Sequence, residues 1–197
     1  GAIREAFAHR GFMLLTAGFF VCGFHVAFIT VHLPIYVADL ELAPMVGALA
    51  ISLIGIFNIF GSLLSGAFGQ RFSKKLGLSG IYALRALVLT IFLLSPKTTE
   101  VIYLFAASMG ILWLSTVPLT AGLVAQVFGI RYMATLYGFV FLSHQIGSFI
   151  GVWMGGYIYD LTGSYDLMWQ AGILLGLVAA VIHLPIDEAP VARLRQA

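Results

Sequence analysis

Apolar residues run along this chain in six stretches, at residues 12–37, 46–69, 77–95, 101–126, 133–158 and 167–186. Each is too long for a strand and too uniform for a helix with one wet face. Residues 11–38, 42–70, 101–130 and 132–159 contain no Asp, Glu, Lys or Arg, and each run exceeds the roughly 20 residues a helix needs to cross a bilayer. The third stretch carries one charge, Arg85, and the sixth carries none, with His183 near its end. The pattern predicts an all-α membrane protein with six transmembrane helices. Composition agrees, since 61% hydrophobic and 9% charged residues with a mean hydropathy of +1.03 lie outside the globular range.

The connections alternate in sign. Arg4 and Arg10 precede the first span, Asp39 and Glu41 follow it, and Arg71, Lys74 and Lys75 follow the second. Arg131 precedes the fifth span, Asp160 and Asp166 bracket the next loop, and Arg193 and Arg195 lie in the tail. Because basic loops stay in the cytoplasm, both termini are expected there. Loops this short make successive spans antiparallel neighbours and leave no room for a soluble catalytic domain. The basic residues are too few and too dispersed for a nucleic-acid surface. The single cysteine, Cys22, rules out an internal disulfide. A start at Gly1 without a leader, entering the first span almost at once, leads to the expectation of a piece of a longer protein.

Glycine spacing marks helix contacts. Gly147, Gly151 and Gly155 recur every fourth residue in the fifth span, and Gly61, Ser65 and Gly69 do so in the second, so a partner backbone can lie against each stripe.

The loop from Gly66 through Gln70, Arg71 and Ser73 to Lys74 and Lys75 resembles the signature loop of the major facilitator superfamily. Gln70 stands where that family has an aspartate and Ser73 where it has a glycine, departures found in the copy carried by the second half of such transporters. The stretches Phe128-Gly129 to Arg131, Leu136-Tyr137-Gly138, His144-Gln145 to Gly147, and Gly155-Gly156 to Asp166 resemble the closing helices of bacterial monocarboxylate and oxalate/formate facilitators. The resemblance implies that residues 1–197 form the carboxy-terminal six-helix half, a 3+3 inverted repeat, of a twelve-helix carrier in a bacterial inner membrane. It also implies that the amino-terminal half is absent from this chain, and that Gly66, Arg71, Lys74 and Lys75 belong to a conformational latch. The first span of each triplet would line the cavity, and Pro34 and Pro118 are candidates to open those helices.

At about 1.5 Å per residue, His25, Asn58, Trp113 and His144 lie roughly 17–20 Å along their spans, near the midplane, where polar side chains need a partner or a watery cavity. His25, with Phe28 on nearly the same face, either lines a cavity or bonds another helix. Trp113, Thr116 and Thr120 share a face of the fourth span and are expected to line the cavity. Of the adjacent His144 and Gln145, at most one faces it squarely; Asn58 could bind substrate or tie helices. Arg85 must have a partner, and either grips an anionic substrate or, the preferred reading, supports a cytoplasmic gate against an acid or helix carbonyls.

Taken together, these features point to secondary transport of a small solute by alternating access, with a small organic anion leading through the resemblance. Efflux of an uncharged or drug-like compound by the same fold, and a non-transporting membrane interaction protein, are the alternatives. The expected partners are lipid, the small substrate and the absent half. The five histidines are scattered, so neither an enzyme nor a metal site or other cofactor is expected.

Overall fold

The computed structural model of the protein describes residues 1–195, so residues 196 and 197 of the expected 1–197 unit lie outside it. A short helix, α1 (Ala2–Ala8), leads into α2 (Arg10–Asp39), α3 (Pro44–Arg71) and α4 (Lys74–Leu94). There follow α5 (Thr99–Leu112), α6 (Thr116–Phe128), α7 (Ile130–Thr162), α8 (Asp166–His183) and α9 (Ala192–Arg195). Six segments are long and apolar enough to span a membrane, with α5 and α6 together forming the fourth. The protein is an integral membrane protein.

Local chemistry sets the ends. The Ser73 hydroxyl accepts the Leu76 amide at 3.3 Å and starts α4, while Gly163, at φ 68°, stops α7 in a conformation that a side chain would strain. The sixth span ends at His183 rather than at residue 186, because Pro185 has no amide to continue it.

The fourth span, read from the sequence as one helix over 101–126, is broken at Trp113–Ser115. Pro118 gives the reason: its ring clashes with the carbonyl four residues earlier, that of Leu114, and it cannot donate to it. The carbonyl instead accepts the Val117 amide at 2.9 Å. Pro34, expected to act likewise, sits inside an uninterrupted α2.

The spans pack in a symmetric pattern: first with fifth, second with fourth, and third with sixth. Exchanging the two triplets maps the first pairing onto the second and the third onto itself, as a 3+3 inverted repeat requires. Glycines suture both pairings. A Cβ on Gly23 would meet the His144 carbonyl, and one on Gly151 would lie 2.6 Å from the Phe24 carbonyl. In the mirrored pair, a Cβ on Gly61 would meet the Ile111 carbonyl, and one on Gly110 would lie 2.8 Å from the Ile54 carbonyl. Backbone meets backbone in each, which is how helices associate when lipid supplies no hydrophobic drive. Outward-facing Leu63, Leu94, Leu104 and Phe149 stay exposed, as an apolar solvent permits.

Candidate functional site

The break in the fourth span frees backbone groups at membrane depth, and neighbouring spans satisfy them. Arg85, fully buried on α4, donates from Nε (3.1 Å) and Nη2 (2.7 Å) to the Leu112 carbonyl and also to that of Trp113. From α3, the Asn58 carbonyl oxygen accepts the Leu114 amide at 3.0 Å and is held by the Ser62 hydroxyl at 3.2 Å. Ser115 turns its hydroxyl back onto the Ile111 carbonyl. Left unpaired in this environment, each such group would cost about 1–3 kcal/mol. Asn58 thus ties helices together.

Arg85 has no carboxylate. Every Asp and Glu lies at a span end or in a loop, and among the described residues the one ion pair joins Arg193 to Glu5 at 3.2 Å, remote in sequence from Arg85. The guanidinium reaches the Cys22 sulfur instead, at 3.6 Å from Nη2. That sulfur also lies 3.2 Å from the Thr116 hydroxyl. His144 brings a fourth span to the same place: Nδ1 is 3.1 Å from the Gln145 side-chain oxygen, and the ring also interacts with Cys22. Arg85 Nη1 and the Thr120 hydroxyl are buried without a hydrogen-bond partner. Spans one, three, four and five therefore converge on one buried guanidinium with an unused N–H face.

The other expected residues stand elsewhere. His25 is buried with Nε2 2.7 Å from the Gly172 carbonyl, so of its two readings the structure displays the interhelical bond. Phe28 is buried, 5.0 Å from the Trp169 ring, and does not share an open face. His32 joins the same wall, with Nδ1 3.0 Å from the Tyr165 hydroxyl and Nε2 3.0 Å from the Val152 carbonyl. Burial and the Asp39 carboxylate push the Tyr165 phenol up to about 12, so it stays protonated at neutral pH. Trp113, expected to face a cavity, packs its side chain into the apolar core with Met109 and Phe105. Thr116 and Thr120 are also buried, and of the residues expected to bind substrate only Gln145 is exposed.

The basic loop forms a clamp with residues that the sequence reading missed. One Glu188 carboxylate oxygen accepts the Lys74 amide at 2.7 Å and the Lys75 amide at 3.0 Å, at the start of α4. Lys74 Nζ reaches the Gln126 side-chain oxygen at 2.7 Å, Gln126 donates to the Glu188 carbonyl at 3.0 Å, and Lys75 Nζ donates to the Ile186 carbonyl at 2.8 Å. Glu188 thus brings an acid to the basic loop, where position 70 is Gln. An acid just beyond the last span was the available signal, but its pairing across 114 positions was not readable. Gly66 lies near the same end, where an added Cβ would be 3.9 Å from Pro118, and Arg71 is exposed. Arg85, read from the sequence as supporting this gate against an acid or helix carbonyls, takes helix carbonyls, those freed at the broken span.

Relatives place this architecture. The chain is 27% identical to the uncharacterized MFS-type transporter YcxA of Bacillus subtilis, over 92% of this chain and 48% of that protein. It is 28% identical to monocarboxylate transporter 14 of mouse, over 81% of this chain and 32% of that protein. Against the human protein of the same name it is also 28% identical, over 68% of this chain and 28% of that protein. The chain therefore spans about half the length of the first relative and less of the others. Residues 13–197 match the family model of the Major Facilitator Superfamily. With the six-span inverted repeat, that match covers nearly the whole chain, which belongs to the major facilitator superfamily of membrane transporters.

Proposed function

We infer that this chain forms one half of a secondary carrier that moves a small organic anion by alternating access, working with a second six-span half. The observation that carries this reading is Arg85, a permanent charge buried at the broken fourth span with no carboxylate beside it and one donor face unpaired. A guanidinium so placed attracts an anion, and a carboxylate accepts its two parallel N–H bonds. His144 Nε2 and the Thr120 hydroxyl supply further polar atoms, and Gln145 stands exposed beside His144 on α7. In the arrangement described here Arg85 is closed over; tilting α6 away from α4 would open it. Trp113 offers Arg85 its carbonyl, His25 and Phe28 pack nearer the sixth span, and the Lys74–Lys75–Glu188 clamp holds the basic end shut. Similarity to monocarboxylate transporter 14 favours a carboxylate, and the half-length match to YcxA favours a partner half. The basic loops support a reading with both termini cytoplasmic, and similarity to the Bacillus subtilis transporter YcxA supports a bacterial inner membrane.

The test is counterflow in proteoliposomes, with labelled short-chain carboxylates set against their neutral amides. Carboxylates are expected to exchange and amides to be excluded. Arg85→Gln should abolish exchange, whereas Gln145→Leu, at an exposed position, should weaken apparent affinity without harming insertion. Equal exchange of amide and acid would refute the anion reading.

A further inference from the structure

Between α3 and α4, at the end of the bundle that carries the basic loop, runs a groove of about 450 Å³. Leu64, Phe68, Leu76 and Leu84 line it, Gly80 leaves it open, and Ser115 at the broken span lies at its inner wall. The Ser115 hydroxyl is already bonded to the Ile111 carbonyl, so the groove offers an occupant almost nothing polar. From Leu76 to Leu84 it follows α4 for about 12 Å, most of one leaflet of a hydrocarbon core about 30 Å thick.

Charge stands at its mouth. Leu64 and Phe68 continue along one face of α3 to Arg71, which is exposed and makes no hydrogen bond or ion pair among the described residues. Its neighbours are committed, Lys74 to Gln126 and Lys75 to the Ile186 carbonyl. A flexible hydrocarbon chain is narrow enough to lie along α4 in this groove, and the apolar lining, with one uncommitted cation at the mouth, matches a tail joined to an anionic headgroup.

We propose that this groove binds one acyl chain of an anionic phospholipid from the surrounding bilayer, with the lipid phosphate held by Arg71. A guanidinium forks onto phosphate oxygens, and the apolar walls take the tail. The tail would end against Ser115 and Leu112, so the lipid would press on the broken span. This inference rests on the groove and Arg71, not on the anion reading above, and stands or falls separately.

Native mass spectrometry of the protein released from membranes in mild detergent tests it, with phosphatidylglycerol and phosphatidylcholine of matched chains. The unmodified protein should retain one phosphatidylglycerol under conditions that strip phosphatidylcholine. A Cβ at Gly80 meets nothing within 4 Å, so Gly80→Ala should keep the lipid and Gly80→Trp, by filling the groove, should lose it. Arg71→Gln should retain lipid but no longer discriminate between headgroups. Full retention by Gly80→Trp, or equal retention of both lipids by the unmodified protein, would overturn the proposal. Should Gly80→Trp not fold, phosphatidylglycerol with a photoreactive acyl chain decides on the unmodified protein. Labels at Leu64, Phe68, Leu76 and Leu84 uphold the groove, and labels confined to other faces overturn it.

Discussion

Arg85 grips the Leu112 carbonyl with two nitrogens, Nε at 3.1 Å and Nη2 at 2.7 Å, across the gap between the third and fourth spans. The bond holds a guanidinium inside the membrane and a helix end in place, and among the described residues no carboxylate pairs with that guanidinium.

Arg85→Met should therefore destabilise the bundle rather than relieve it. Removing the charge saves desolvation, but it orphans two carbonyls at about 1–3 kcal/mol each. Arg85→Lys, with a single point of donation, should recover only part of the loss. Thermal unfolding in detergent gives the comparison, and an unshifted midpoint for Arg85→Met would count against the brace.

Asn58→Leu should cost about 1–3 kcal/mol through the stranded Leu114 amide. The loss should shrink when Pro118→Ala is also present, because a continuous fourth span would give that amide an intrahelical partner. A double-mutant cycle measures the coupling; strictly additive effects would show that Asn58 does not serve the break.

Two neighbouring glycines should behave oppositely. Gly151→Ala places a methyl 2.6 Å from the Phe24 carbonyl and should cost about 1–3 kcal/mol by forcing α2 and α7 apart. Gly156→Ala meets nothing within 4 Å and should be neutral or slightly stabilising. Melting curves of the two variants suffice, and similar losses at both would mean that the spacing of the glycines, not their contacts, is what matters.

Glu188→Ala should loosen the start of α4, since its carboxylate accepts two amides at a helix N-terminus, where a negative charge contributes about 0.3–1 kcal/mol. Hydrogen exchange at Lys74 and Lys75 should quicken while that in the middle of α4 does not. Unchanged exchange would remove Glu188 from the clamp.

Much of this fold was legible in the sequence because a bilayer enforces simple rules: charge-free length sets the spans, and glycine period marks their contacts. Partners across the bundle were less legible. Pro34 and Pro118 read alike, yet only the second breaks its helix, where Asn58 and Arg85 receive the freed groups. Among the described residues no side chain from another helix reaches the backbone around Pro34. His25 was legible as a polar residue within a span that needs a partner, but its acceptor is a bare glycine carbonyl in the last span, which no side-chain pattern announces. Cys22 gave no signal as a lone apolar residue. Its position emerges only once Arg85, Thr116 and His144 are brought around it.

The glycine sutures and the proline break also divide the fourth span mechanically. Gly110 and Ile111, on the α5 side, are stitched to α3, so that piece cannot slide without driving a side chain into a carbonyl. The other piece, α6, is a 13-residue helix tied to Cys22 by its first residue, Thr116, and to Lys74 by Gln126 near its last. About 20 Å separate its two ends. Freeing Gln126 from Lys74 and Glu188 would therefore release α6 at the membrane surface while leaving intact the glycine contacts that hold α5 to α3.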